Sequence, residues 1–212
     1  MIALTISDAM DADAAVLRIS ELIKRRDSIG VPDAICVRND TFTPEPFAAM
    51  TELISKLWSG KIILETDDPS SVGRAVLPII DRPPILVGAN ETNLEQFCIM
   101  AKMFACPLCV SSEDIESLYN LAQRAKDSGV DTILIDPMMR NMKQCLEKCT
   151  DISRIRETVP ELDYSVTVRS WSGEYAMTMA TVSLLVSDAL IIVDDLDYDC
   201  CDTLSSLLDS VR

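Results

Sequence analysis

Ile85-Leu86-Val87-Gly88-Ala89-Asn90, Leu108-Cys109-Val110-Ser111-Ser112 and Ile133-Leu134-Ile135-Asp136-Pro137 are three successive short apolar runs, each closed by polar residues. Helical stripes separate them: Phe97, Cys98 and Ala101 mark the first, and Ile115, Leu118, Tyr119 and Ala122 the second. Runs of Ile, Leu and Val that do not alternate with polar residues suit parallel strands covered on both faces. The local order is strand, helix, strand, helix.

The same unit recurs outward to both ends. Apolar runs lie at residues 2–6, 34–37, 61–64, 85–87, 108–110, 132–135, 165–168 and 189–193. Ala15, Val16, Ile19, Leu22 and Ile23 form the stripe after the first run, and Lys24, Arg25 and Arg26 sit where the helix dipole favours cations. Thr43-Pro44 and Asp68-Pro69 read as caps followed by an N1 proline, and Gly60 follows the second helix. Thr92 and Glu95 have capping-box spacing, and Ser112 or Asp114 can open the fifth helix. The last three stripes run through Leu146, Cys149, Ile152 and Ile155, then Ala176, Met179, Ala180 and Ser183, then Leu204, Leu207, Leu208 and Val211.

Eight strand–helix units at nearly even spacing predict an α/β protein, a closed (β/α)8 TIM barrel with a parallel eight-stranded sheet. An open doubly wound sheet would need crossovers on both faces and a switch point. At 212 residues the chain is short against the typical length of about 250, so short loops are expected. No Gly- or Ser-rich linker interrupts it, and residues 1–212 are expected to form a single domain.

Hydrophobic residues make up 48 % and charged residues 25 %, the mix of an ordinary globular protein. The net charge of −15 opposes nucleic acid and anionic membranes as partners, and no apolar run has the length to span a bilayer. A cytoplasmic location is the expectation. Of the eight cysteines, Cys106 and Cys109 have CxxC spacing, but no second pair stands at zinc-site distance and the chain has no His. Buried free thiols are therefore expected.

In such a barrel, chemistry belongs to the loops after the strands. Those ends read Ser7-Asp8, Arg38-Asn39-Asp40, Glu65-Thr66-Asp67-Asp68, Gly88-Ala89-Asn90-Glu91, Ser111-Ser112, Asp136-Pro137, Arg169-Ser170-Trp171 and Asp194-Asp195. Without His, a base near neutral pH would have to be a carboxylate such as Asp67, Asp136 or Asp194. Strand-end Asp residues more often cap the next helix, and no catalytic residue is assigned. Carboxylates can hold Mg²⁺ or Ca²⁺, but no spacing singles out a metal site. With six glycines and no Gly-rich loop after a strand, phosphate recognition is disfavoured. Met138, Met139, Arg140 and Met142 follow the sixth strand, and Trp171 and Tyr175 the seventh. They read either as a soft apolar patch for a large flat ligand or partner, or as helix packing.

The run from Pro84 to Asn90, then Cys106-Pro107-Leu108-Cys109-Val110, then Thr132 to Pro137, resembles three successive barrel strands of a known family. It is the large subunit of the corrinoid iron–sulfur protein, the gamma subunit of the archaeal acetyl-CoA decarbonylase/synthase (CO dehydrogenase/acetyl-CoA synthase) complex. Ala34-Ile35-Cys36-Val37-Arg38-Asn39-Asp40 and Asp67-Asp68-Pro69 are similar to that family as well, with Asn39 in place of its His. The family carries an iron–sulfur domain before the barrel and a corrinoid-binding domain after it. Neither is expected within this sequence.

The resemblance implies a corrinoid-linked methyl-transfer setting. In the leading reading the chain is a non-catalytic subunit that docks a corrinoid-binding protein or a second barrel subunit through the apolar patch around Met138, Met139, Met142 and Trp171, a homodimer being a further arrangement. A cobamide would then reach it through the partner, with no cofactor assigned to the chain itself. The alternatives are a pterin-binding methyltransferase-type barrel, in which Asn90 and Asp136 would hydrogen-bond the ring, and a purely structural subunit. Arg38, Asn39, Asp67, Asn90, Asp136, Met138, Met139, Arg140, Met142, Arg169, Trp171 and Tyr175 are the ligand- or partner-binding candidates.

Overall fold

The computed structural model describes residues 1–170, 176–186 and 189–211. Strands β1 (Ile2–Ser7), β2 (Ala34–Arg38), β3 (Lys61–Glu65), β4 (Ile85–Ala89), β5 (Leu108–Ser111), β6 (Ile133–Asp136), β7 (Ser165–Ser170) and β8 (Ala189–Val193) are all parallel. They form a closed barrel in sequence order, β8 pairing back onto β1 through Ile2 with Ile191 and Leu4 with Val193. Helices α1 (Ala12–Ile29), α2 (Pro44–Leu57), α3 (Pro69–Val76), α4 (Leu94–Phe104), α5 (Ile115–Asp127), α6 (Met142–Thr158), α7 (Ala176–Val186) and α8 (Tyr198–Val211) alternate with them. The protein is thus a (β/α)8 barrel. Among the described residues no helix is long and apolar enough to cross a membrane.

Period-two alternation divides the strand side chains between two cores. Ile2, Leu4, Ile6, Ile35, Val37, Leu64 and Leu86 pack outward with the helix stripes, including Ile19, Leu22, Phe47 and Phe97. Ala3, Ala34, Cys36, Ile63, Ile85, Val87, Cys109, Leu134, Leu190 and Ile192 fill the barrel. Small Ala and Cys face large Ile and Leu, which is how a narrow barrel is packed without voids. The two cysteines in this inner cluster serve as small hydrophobes. All eight cysteines are free thiols, and all but the half-buried Cys200 are buried.

Helix starts follow the expected chemistry in part. Asp68 caps α3, accepting from Ser70 and Ser71, and Asp114 caps α5, accepting from Ser117 N–H at 2.7 Å. Ser112 instead accepts from Asp114 N–H. The anticipated Thr92–Glu95 capping box does not form: Asn93 is the N-cap of α4 and makes no side-chain cap bond. The Asn93 amide is drawn away to Asp67 O at 2.9 Å and Gly88 O at 3.2 Å, tying the loop after β4 to the loop after β3. Thr43 likewise makes no side-chain cap bond. Its hydroxyl turns to Thr41 Oγ1, and Pro44 alone pre-sets the first turn.

One glycine is demanded by close approach. Gly88 has φ +124°, and a Cβ there would lie 2.1 Å from Thr66 O. The β4–β5 register shifts at this point, Val87 pairing with Cys109 but Ala89 with Val110. Ala89 consequently joins the outer core, and β4 turns no side chain inward above Val87.

Candidate functional site

The strand ends bring Ser7, Arg38, Glu65, Ser111, Asp136, Arg169 and Asp194 to the C-terminal mouth, above the apolar filling. At its centre lies Arg169. Its Nε donates to Asp136 Oδ2 on the neighbouring strand at 2.6 Å, and Nη1 reaches Glu65 Oε1 across the barrel at 3.0 Å. Burial works against the Arg169 charge, but the fields of Asp136 and Glu65 more than offset it and hold its pKa above the ordinary value. Asp136, only 1 % exposed, also accepts from Ser111 Oγ at 3.3 Å and from Met138 N–H at 2.8 Å. A buried ion pair is tolerable only when its remaining lone pairs are satisfied in this way. Cys36 Sγ donates to Glu65 Oε2 at 3.6 Å, and its thiol pKa is raised by burial first and by that carboxylate second.

A second set stands nearer the solvent. Arg38 pairs with Asp194 at 2.5 Å and with Asp40 at 3.0 Å. Asn39 is buried, its Nδ2 donating to Thr66 Oγ1 at 2.9 Å and to Ser71 Oγ at 3.3 Å. Between the two sets opens a cavity of about 460 Å³, lined by Thr5, Arg38, Asn39, Glu65, Asp67 and Phe42 among others. Thr5 Oγ1 and Asn39 Oδ1 lie buried in its wall with no hydrogen-bond partner among the described residues.

Phe42 is the feature that sequence reasoning missed. It is 81 % exposed and has φ +55°, a left-handed backbone that a bulky residue rarely adopts. Buried Asp8, from the loop after β1, holds that backbone in place. Its Oδ1 accepts from Asp40 N–H at 2.8 Å and Thr41 N–H at 3.0 Å, and its Oδ2 from the Thr41 hydroxyl at 2.5 Å. No periodicity marks a lone aromatic in a loop, and the only signal was the strand-end position of Asp8.

The structure thus gathers Arg38, Asn39 and Asp67 around one cavity, with Arg169 at its floor. Asp136 lies beneath, wholly engaged. Asn90 is turned to its own loop: Oδ1 accepts from Thr92 N–H and hydroxyl, and Nδ2 donates to Gly88 O. Met139 is buried with its sulfur 3.9 Å from Cys149 Sγ, and Met142 packs on the same core. Met138 is half-exposed with φ +50°, and Arg140 is an exposed residue paired to Glu113. Trp171 and Tyr175 lie outside the described residues. Among the described residues no group of three or more Cys, Asp or Glu is arranged to hold a metal ion.

A closed barrel with its strands in sequence order and its helices between them places the chain among the (β/α)8 proteins. Solved structures agree on that fold. Dihydropteroate synthase of Xanthomonas albilineans, with 4-aminobenzoic acid, superposes with TM-score 0.74 at 11 % identity, covering 99 % of this chain and 91 % of that one. The Yersinia pestis synthase with a pterine-sulfa conjugate gives 0.72 at 10 % identity, covering 100 % and 92 %. The chain belongs to the CO dehydrogenase/acetyl-CoA synthase delta subunit family, whose pattern matches residues 1–193. It is 37 % identical over 106 residues to the gamma subunit of the acetyl-CoA decarbonylase/synthase complex of Methanothermobacter thermautotrophicus, covering 50 % of this chain and 23 % of that protein. It is also 29 % identical over 122 residues to the corrinoid/iron-sulfur protein large subunit of Moorella thermoacetica, covering 58 % and 27 %. The chain therefore spans about a quarter of the length of these curated relatives.

Proposed function

We propose that this chain is a non-catalytic barrel component of a corrinoid-linked methyl-transfer assembly, and that a cobamide-carrying protein docks over its mouth against Phe42. The observation that carries the reading is Phe42 itself: an exposed ring at the edge of a cavity, on a strained backbone fixed by Asp8. A pre-positioned aromatic costs little entropy on association and makes a good anchor for an apolar surface. Beside it, Glu65, Thr66 and Asp67 line the cavity with hydrogen-bond acceptors, and the rim of a corrin ring carries amide side chains that supply N–H groups. The relatives' names, as subunits of a complex, support a partnered role.

The charge inventory favours docking over catalysis. Asp136 and Glu65 both face Arg169, and Asp194 faces Arg38, so each of these three carboxylates is held by a guanidinium, which disfavours its use as a free base. The pterin-binding alternative draws less support, because Asn90 and Asp136 already spend their hydrogen-bonding groups within the protein.

The test is an anaerobic titration with a purified cobamide-loaded corrinoid protein, followed by calorimetry and by the visible bands of the cobamide. Saturable binding is expected, weakened roughly tenfold or more in Phe42→Ala. Absence of heat and of any spectral change with the unaltered chain would overturn docking. Tight binding of a methyl-pterin that disappears in Asn90→Ala would install the pterin reading in its place.

A further inference from the structure

We infer that the opposite, N-terminal end of the barrel carries a second binding site, which takes the phosphate group of a phosphorylated small molecule. The chain is strongly acidic, with a net charge of −15, yet a cavity of about 580 Å³ at this end is lined by Arg26, Lys61 and Arg82 against the single carboxylate of Asp33. That carboxylate is engaged, accepting from Ile2 N–H at 2.8 Å. None of the three cations forms an ion pair among the described residues. Three cations against one carboxylate leave this wall of an acidic protein net positive, a focus for an anion.

The two guanidinium groups are held by specific contacts, although Arg82 is exposed and Arg26 half-buried. Both are organised by Trp58, which is buried and whose Nε1 donates to Lys61 O at 3.0 Å. Arg26, in the last turn of α1, lies 4.9 Å from the centroid of the Trp58 ring. Arg82 donates to Trp58 O at 2.9 Å and to Ser55 O at 3.0 Å, closing the end of α2. These contacts fix the guanidinium planes and set no carboxylate against them, only the carbonyl dipoles at the end of α2, so little ordering cost remains when an anion arrives.

Gly60 is what allows the geometry. A Cβ at this position would stand 2.7 Å from Trp58 Nε1 and 2.8 Å from Arg26 Nη1. Any side chain would push the guanidinium out of the cavity. The site owes nothing to a glycine-rich phosphate loop. A phosphate oxyanion matches the forked donors of two arginines and the point charge of Lys61. The volume is many times the ~30 Å³ share of one water molecule, so the phosphate can carry an organic remainder, which Ile62 and Pro83 would face.

The experiment is calorimetric titration at constant ionic strength with three probes: inorganic phosphate, glycerol 3-phosphate and, as the screening control, chloride. Saturable binding of glycerol 3-phosphate is expected, tighter than inorganic phosphate, with no binding of chloride. Arg26→Gln and Lys61→Gln should each weaken it roughly tenfold, the loss of one charged hydrogen bond. Lys61 is exposed and offers the fold only its backbone, so its variant keeps the barrel intact. A response to phosphates no larger than to chloride overturns the site, as does unchanged affinity in both variants. Binding of inorganic phosphate alone overturns the assignment to a phosphorylated small molecule.

Discussion

Asp8 holds Thr41 twice, Oδ1 accepting from its backbone N–H at 3.0 Å and Oδ2 from its hydroxyl at 2.5 Å. The two residues belong to loops after neighbouring strands, and the next residue along is Phe42 with its left-handed backbone. Removing the carboxylate releases the strain and the aromatic together. Asp8→Ala should lower stability by only about 1–2 kcal/mol, the usual scale for charged hydrogen bonds balanced against relief of strain. It should weaken partner docking as severely as Phe42→Ala does. Chemical denaturation and the cobamide titration read the two effects separately, and intact docking in Asp8→Ala would show that the clamp does not position Phe42.

Arg169 is the hub of the barrel mouth, and its removal strands two carboxylates. Arg169→Met should destabilise the protein by about 3–5 kcal/mol, the range for breaking a buried pair by deleting one partner. Adding Asp136→Asn should recover part of the loss, since an amide needs no counter-ion. A double-mutant cycle in urea checks this, and simple additivity of the two substitutions would mean that the residues are not coupled.

Gly88 admits no Cβ, because Thr66 O would stand 2.1 Å away. The obstacle is backbone, which cannot swing aside like a long side chain. Gly88→Ala is expected to cost several kcal/mol, visible as a lowered melting midpoint. Gly73, where an added Cβ meets nothing within 4 Å, is the matched control.

The thiols carry a pH signature. Burial, then the charge of Asp136, pushes Cys109 from an ordinary 9.0 up to about 12. A group whose folded value is raised contributes stability fully below its unfolded value and loses it as pH climbs to the folded one. Stability should therefore fall between about pH 9 and 12, and the fall should shrink in Cys109→Ala. At pH 8 a disulfide reagent should leave Cys109 and Cys36 untouched in the folded protein and react at half-buried Cys200. Rapid labelling of Cys109 would contradict its burial.

Most of the barrel was legible in the sequence because its cause is local. Uninterrupted runs such as Ile133-Leu134-Ile135 and stripes such as Leu118 to Ala122 leave few ways to bury their apolar surface, and eight repeats close naturally. Strand ends misled by a residue or two where polar side chains point inward and still pair, as Glu65 and Ser111 do. The site was less legible. That Arg38, Asn39 and Asp67 would share a rim followed from strand ends alone, but which groups neutralise one another depends on reach across the barrel. Asn93 was hidden because its amide joins two loops, which no spacing rule within one helix can reveal. Met139 could be read as mouth patch or as packing and is core, since three methionines in five residues give no phase to decide which one turns inward.

Arg169 and Glu65 are 104 residues apart, on strands that face each other across the ring. Their meeting requires every strand between them to have zipped into place, so it belongs to the last moments of assembly rather than to its nucleus. An interaction absent from the transition state slows unraveling without hastening formation. This one bridge should therefore govern how long a closed barrel survives before it opens, while the time needed to build one is set by the local strand–helix units.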